Sequence, residues 1–547
     1  MKTVATVILL LFTHGAMAQL WLIDPLEAIY PDRNPVTDSY SSTLKQDVPL
    51  GGIAEVHLLI KIPIGETFTV VASKDGHVLK GVWSELVEVP IEQNTGLDSR
   101  TEQFSNQINP YVIRRAPFRK FEVIRPLSDS KLSSKTIFTA LRLAIPMSSN
   151  LTKGNHKIDI LVNSNTMHLS GTLKVKVHSA VLPALDKSQF FYTNWFNLRQ
   201  MEEQHDLIRW SDSWFAMLKK YTKLMAHGRQ NSITIPHDLI RFEAGTFVME
   251  HEKMKRYIDV FKNEGFKYFE APHLMYRGDN DDWSDPELKV VLTKNGYFSE
   301  KGKADIEALI RVIYDFVKAN NLEKHWLQHI ADEPTSANAD CYLQVAQQIK
   351  SLFPEVQIME ATNDRDGLVG AIDIWCPLIN DFQENEMFFR EREKDGERVL
   401  VYTCLVPGGK WLNRTLDMEH LRQVYFGWGA AFYNTGGYLH WGLNQYQADP
   451  YVQSVVHHPS PAASANNFLP AGDTHIIYPG THGPLSSIRF EAHRLGCEDY
   501  DLLQLMKQKK LQKHNRLVEK LFKSYTDYNV SIQDYRKTKK KLLKSIE

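Results

Sequence analysis

Residues 326–334 read WLQHIADEP: a short apolar run, Trp326-Leu327-Gln328-His329-Ile330-Ala331, that ends in two adjacent carboxylates, Asp332 and Glu333, and a proline. The run has the length and composition of a buried strand, and Pro334 marks where that strand has to stop. Outward from it the same unit recurs. After about Ser188 apolar runs rich in β-branched and aromatic residues alternate with longer segments of helical period. The runs are QFFYTNWF (189–196), RQNSITI (229–235), FKYFEAPH (266–273), HWLQHIAD (325–332), VQIMEAT (356–362), IDIWCPL (372–378), RVLVYTC (398–404) and GGYLHWGL (436–443). Between them lie amphipathic stretches such as DSWFAMLKKYTKLMAH and ADIEALIRVIYDFVKANN. Eight strand-then-helix units predict a (β/α)8 barrel, whose strands are buried on both faces and so lack alternation. An open parallel sheet with fewer strands is the alternative.

The first part of the chain has a different rhythm. From about Val48 to Val181, runs such as AEVHLLIKI, TFTVVAS, TIFTALRLAI and GTLKVKVH alternate with period two between Gly, Pro, Asn, Asp and Ser. That pattern predicts an antiparallel β-sandwich. The expected organisation is a signal peptide over 1–18, the sandwich over 19–186, the barrel over 187–505 and a helical, Lys-rich tail over 506–547. The charge run KTKKKLLK (537–544) reads as a solvated helix face.

Bulk properties narrow the function. The 547 residues carry 64 Lys plus Arg against 65 Asp plus Glu, a formal net charge of −1. No surplus of positive charge is available to neutralise a phosphate backbone, which argues against nucleic acid as a partner. Lys2, the run VATVILLLF (4–12) and Ala16-Met17-Ala18 match a secretory signal cleaved before Gln19, so the protein is expected to be exported. That run is too short to span a bilayer, and no later run is long and apolar enough to do so. Cys341, Cys376, Cys404 and Cys497 show no zinc spacing and read as free, buried thiols.

The acids at 332 and 333 sit where a barrel carries its chemistry, at the C-terminal end of a strand. Along a regular strand consecutive side chains point to opposite faces, so neighbours rarely flank one bond. At the last residue the backbone can turn, and two carboxylates can then address different atoms of one substrate. One holds an acetamido N–H while the other protonates a glycosidic oxygen, the division of labour in substrate-assisted glycoside hydrolysis. A helix cap is the structural alternative, because Asp-Glu-Pro also starts helices well.

The ordered set HIADEP, DIWCP (373–377), VYTCLVP (401–407), GYLHWGLNQY (437–446), YPG (478–480) and SIRFEAHRLGCEDYDLL (487–503) resembles glycoside hydrolase family 123. The resemblance runs from the sandwich to Leu503. It implies an exo-acting, retaining β-N-acetylgalactosaminidase that releases terminal β-linked GalNAc from glycans or glycosphingolipids through an oxazoline or oxazolinium intermediate, without a cofactor. By position in the motif Glu333 matches the general acid/base, and Asp332 matches the residue that orients the acetamide and stays ionised beside the developing positive charge. A β-N-acetylglucosaminidase of the same mechanism and a sugar-binding protein without turnover are the rivals.

Residues at or near other strand ends are candidates for substrate binding. Trp441 can stack on the apolar face of a pyranose, Tyr402 can donate to the acetamide oxygen, and Trp375, Asn194, Trp195 and His273 can frame the pocket. Arg229 and Asn231 begin their run rather than end it and are left out. The acidic segments YRGDNDDWSDPE (276–287) and NDRDG (363–367) lack the EF-hand spacing, and His457, His458, His475 and His482 lack metal-site partners, so they read as surface or loop histidines and no metal is expected. No G-x-S-x-G elbow, P-loop or dinucleotide fingerprint is present, which removes serine hydrolases and nucleotide enzymes.

Overall fold

The computed structural model describes residues 18–35, 42–129, 131–147, 152–278, 280–362, 364–460 and 463–547. The signal-peptide reading therefore lies outside the described residues, apart from Ala18, as do Asn363 and Asp279 of the two acidic segments.

The period-two runs form two sheets. One orders Gln19–Ile23, Ile53–Lys61, Phe138–Pro146, Trp83–Ile91 and Phe118–Pro126 as antiparallel neighbours. The other is built on Thr43–Leu50, His168–Val181, Gly154–Ser164 and Thr67–Lys74, with one parallel pairing, Thr43–Leu50 on His168–Val181. Leu58, Ile60, Val70, Leu141, Leu143, Ile160 and Leu173 fill the space between them. The first sheet is extended by a hairpin from far along the chain, Tyr478–Gly480 and Gly483–Ser487, which pairs with Phe118–Pro126. The two halves of the molecule thus share a sheet.

All eight apolar runs form parallel strands, and the barrel is the observed fold. They are β1 Phe191–Asn194, β2 Ser232–Thr234, β3 Tyr268–Glu270, β4 Trp326–Gln328, β5 Gln357–Thr362, β6 Ile374–Pro377, β7 as Arg398–Val399 and Val401–Tyr402, and β8 Gly437–His440. Ladders join β2 through β7 in order, β7 to β8 and β8 to β1. The seam between β1 and β2 is closed differently. Asn231 N–H donates to the Tyr192 carbonyl (3.1 Å), while its side-chain amide accepts from Tyr192 N–H (3.0 Å) and donates to the Phe190 carbonyl (2.9 Å). Gln230 adds bonds to the Asn194 and Ser232 carbonyls, both 3.0 Å. These amides stand in for a missing stretch of ladder, and Arg229 is tied to Asp501 (2.6 Å), so the start of the second run is structural.

Phe191, Leu327, Met359, Ile374, Cys376, Leu400, Tyr402 and Leu439 point into the barrel and pack together. The alternate residues face the helices. All four cysteines are free; three are buried and Cys404 is half-buried. Among the described residues no helix is long and apolar enough to cross a membrane.

Two expectations need correction. The Lys-rich segment is helical (Ile532–Ile546), but it is docked rather than solvated. Tyr535, Leu542 and Leu543 are buried, and Lys539 reaches Asp499 at 2.9 Å with both groups out of water. The run hides an amphipathic pattern, with its lysines at the edges of an apolar stripe. His475 is likewise no surface histidine: it is buried, bonded to Thr474 Oγ1 (2.9 Å) and set edge-on to Tyr478.

Candidate active site

The site grows from the end of β4. Past Gln328 the ladder stops, and side chains take over its bonds. Ile330 N–H donates to Glu360 Oε2 (3.0 Å), a carboxylate projecting from β5. Met275 N–H donates to the Ile330 carbonyl (2.8 Å). At Glu333 the backbone turns into the left-handed region, φ +44°. A non-glycine residue there costs roughly 1–2 kcal/mol, and the following proline restricts it further. Such a conformation persists where its surroundings over-determine it. Arg277 does this: its Nη1 donates to the carbonyls of both Asp332 (2.6 Å) and Glu333 (3.1 Å), and its guanidinium lies 4.0 Å above the ring of Trp283 and bonds Asp281 (2.9 Å). The acidic segment 276–287 is thus organised around an arginine. The left-handed turn removes the strand alternation that would have sent the two acids to opposite faces.

Glu333 meets Tyr402 of β7. Its hydroxyl donates a short hydrogen bond to Glu333 Oε1, and its pKa is raised by burial and then by the charges of Glu333 and Asp332 among its neighbours. Asp332 is the less satisfied of the two acids. Its Oδ1 is buried and accepts no hydrogen bond from the described residues. Burial raises its pKa; Glu360 raises it further, while His273, His329 and Arg277 oppose. Sequence alone led to the expectation of an ionised Asp332, and here the protein's own burial works against that state.

Beneath the acids lies a buried array. His329 is held between Glu360 (Nδ1 to Oε1, 3.1 Å) and Glu270 (Nε2 to Oε2, 3.4 Å), and His273 reaches the same Glu360 oxygen at 3.1 Å. Burial alone would lower the pKa of His329, but the two carboxylates outweigh it and push the imidazole up to about 10. Burial would raise Glu360, but the fields and hydrogen bonds of His329 and His273 outweigh it and bring the carboxyl to about 2. Tyr342 (3.0 Å) also donates to Glu360, and Ser232 (2.5 Å) and Trp195 (3.2 Å) donate to Glu270. His273, His329 and Glu360 are metal-ligand types gathered within 4.8 Å. In this arrangement both nitrogens of His329 face carboxylates, Nδ1 toward Glu360 and Nε2 toward Glu270.

The structure brings most of the predicted residues to one mouth. Trp195 lies edge-on to His273 and His329, with ring centroids 5.9 and 6.3 Å away. Its backbone is bonded to the 440–443 segment that carries Trp441, N–H to the His440 carbonyl (3.0 Å) and carbonyl to Leu443 N–H (3.1 Å). Trp441 is half-buried beside Asp473, whose carboxyl burial pushes up to about 7. Cys404 connects the two sides of the mouth: Asp473 and Glu333 both add to the burial that raises its thiol pKa.

Two predicted residues are not in the mouth. Trp375 faces outward from β6, bonded to Glu397 and packed edge-on against Phe388 and Phe389; strand alternation puts its neighbours Ile374 and Cys376 inside instead. Asn194 is fully buried, its amide taken up by Arg414 (2.7 Å) and Gln230 (3.3 Å). Sequence reasoning missed Arg277, Glu270, His329, Glu360 and Asp473. The signal for Glu360 was present, a carboxylate inside the apolar run VQIMEAT. For Arg277 there was none, because it acts on backbone from a loop.

A (β/α)8 barrel bearing two neighbouring carboxylates at the end of β4, one of them bonded to a tyrosine, is an arrangement suited to glycoside hydrolysis. Residues 195–506 match the family model described as glycoside hydrolase 123, catalytic domain, and the chain belongs to that family. The fold is similar over nearly the whole chain to a family 123 glycoside hydrolase from Clostridium perfringens, solved in a study of glycolipid glycan hydrolysis: 13% identity, 97% of this chain and 96% of that one, TM-score 0.71. Slighter similarities, on which nothing is built, link it to a β-glucuronidase from Parabacteroides merdae (8% identity, 85% and 51% covered, TM-score 0.31) and an endo-β-1,4-mannanase from Thermotoga petrophila (12% identity, 58% and 78% covered, TM-score 0.37). No curated protein matches the chain in sequence.

Proposed function

We propose that this glycoside hydrolase is an exported, exo-acting, retaining β-N-acetylgalactosaminidase that removes terminal β-linked GalNAc from glycans or glycolipid head groups by substrate-assisted catalysis. The observation that carries the reading is the buried Oδ1 of Asp332, which accepts no hydrogen bond beside a Glu333 already engaged by Tyr402. A 2-acetamido N–H supplies the missing donor. A buried acceptor left unsatisfied costs about 1–3 kcal/mol, so a substrate bearing that N–H recovers free energy that a sugar with a 2-hydroxyl of different reach does not.

In the first step the acetamide carbonyl oxygen attacks the anomeric carbon. Glu333 gives its proton to the glycosidic oxygen, the C1–O bond breaks and the aglycone leaves. Asp332 accepts the acetamide N–H and balances the positive charge of the oxazolinium ring. That charge favours the ionised form of Asp332 at the moment it is needed, against the burial that raises its pKa. In the second step water attacks C1 as Glu333 takes its proton, the C1–O bond of the oxazolinium ring breaks to restore the acetamide, and the configuration is retained. Trp441 and Trp195 offer aromatic planes to the sugar.

The family resemblance favours GalNAc over GlcNAc, and the Clostridium relative supports a glycolipid glycan as the natural source. Export rests on the N-terminal run of residues 2–18. Assay with aryl β-GalNAc and aryl β-GlcNAc tests the reading. Release from the first alone supports it, release mainly from the second favours the glucosaminidase, and release from neither favours a binding protein.

A further inference from the structure

The sandwich contributes more to the barrel than a shared hairpin. Its adjacent strands Trp83–Ile91 and Phe118–Pro126 are antiparallel neighbours that a tight turn would join. They are connected instead by residues 92–117, which include one helical turn, Glu102–Ser105. The loop is stapled internally: Asn94 bonds Arg114 and Ala116, Asn109 bonds Thr95, Gly96 and Glu102, and Arg115 bonds Glu102.

This loop is locked onto the segment that follows β7. Asp417, fully buried, accepts from Thr95 N–H (2.8 Å), Thr95 Oγ1 (2.6 Å), Asn94 Nδ2 (3.1 Å) and Thr415 Oγ1 (3.0 Å). Backbone bonds run from Arg100 N–H to the Leu405 carbonyl (3.1 Å) and from Gly408 N–H to the Asp98 carbonyl (2.5 Å). The approach is too close for a side chain: a Cβ on Gly408 would lie 2.4 Å from the Gly96 carbonyl oxygen. From the same segment Arg414 bonds the carbonyl of Gly442, next to Trp441, and the side chain of Asn194. Leu405 is three residues beyond Tyr402.

We infer that the sandwich loop 92–117 is part of the catalytic apparatus: through Thr95 and Asp417 it fixes the segment 403–418 and thereby holds the Tyr402 hydroxyl on Glu333, making Thr95 and Asp417 positioning residues. The inference rests on the reading of Glu333 as the acid. Asn194, which is not at the mouth itself, becomes one end of this chain of contacts.

A double-mutant cycle on the full-length enzyme tests it, using whichever aryl β-hexosaminide the wild type turns over. Thr95→Val should lower kcat about tenfold, since small displacements of a catalytic group cost one to two orders of magnitude, with KM changed less than about twofold. Thr95→Ser, which keeps the hydroxyl, should restore activity to within about twofold. In a Tyr402→Phe background, Thr95→Val should cost less than about twofold, because the group it positions is already gone. Equal losses in both backgrounds, or no loss of kcat in the first, would overturn the inference. If Thr95→Val does not fold, Thr95→Ala, which removes the hydroxyl without refilling its space, enters the same cycle with the same criteria. Full activity of Glu333→Gln on a glycan would sink the acid assignment itself, a failure this cycle does not resemble.

Discussion

Two arrays of buried charge in this molecule are built from similar residues and satisfied in different ways. Between sandwich and barrel, Glu55 takes two bonds from Arg142 (2.6 and 3.0 Å), and Glu491 is shared by His227 (2.9 Å), Arg494 (2.8 Å) and Arg142 (3.3 Å). Burial would raise both acids, but an Arg142 fork outweighs it at Glu55, held at about 2, and His227, Arg142 and Arg494 together outweigh it at Glu491, held well below the usual range. At the barrel mouth histidines replace arginines. Glu360 and Glu270 are paired through one imidazole, and above them Asp332 keeps a buried oxygen with no donor. The first array joins domains. The second leaves one bond for a substrate to make, and it stores strain at Glu333 beside it.

The sharpest way to break this contrast is to neutralise the acid. Glu333→Gln should lower turnover of glycans with poor leaving groups by about 10²–10⁴-fold and of activated aryl glycosides far less, measured as kcat/KM on the two substrate types. Asp332→Asn should lose about 10²–10³-fold on both types, and its stability should move the other way. A carboxyl whose folded pKa is raised contributes stability that is present below its unfolded value, 3.8, and is lost as pH rises through the folded value. At neutral pH the ionised Asp332 is therefore a burden, and Asp332→Asn should unfold at a Tm equal to or above that of wild type. A lower Tm would mean that Asp332 belongs with the satisfied array.

The interface array should behave oppositely. Arg494→Met removes the buried partner of Glu498 and one of the three partners of Glu491 and should cost about 3–5 kcal/mol in stability, read by denaturant melts, with kcat per folded molecule little changed. The smallest effect is a pH dependence. His329, with its pKa pushed to about 10, contributes stability that is complete below 6.5 and is lost as pH rises through about 10. Glu360, at about 2, contributes stability that is present above 4.5 and is lost as pH falls through about 2. Read as Tm against pH beside wild type, His329→Gln should flatten the alkaline side.

The barrel was legible because its strands are apolar on both faces, so each of the eight runs stood out without alternation. The acid pair was legible for the same reason, as charge where a buried run stops. What was hidden came from features with no period. Trp375 looked like a mouth residue by position, but a one-residue difference in parity turns a side chain from pocket to helix layer. Arg277 acts on carbonyls across a loop. The run IRFEAHRLGCEDYDLL (488–503) is heavily charged yet buried, because its partners Glu55, Glu122 and Arg142 come from the sandwich. The lysines of the last helix mislead similarly, since Asp499 and the apolar stripe lie far away in sequence.

The central claim is that Asp332 waits for an acetamido N–H. A crystal structure with a GalNAc-derived thiazoline, which mimics the cyclised intermediate, tests it directly. The ring nitrogen should lie about 2.7–3.2 Å from a carboxylate oxygen of Asp332, with the thiazoline ring beside Tyr402. A ligand bound with that nitrogen turned to any other group, and Asp332 Oδ1 still without a partner, would contradict it.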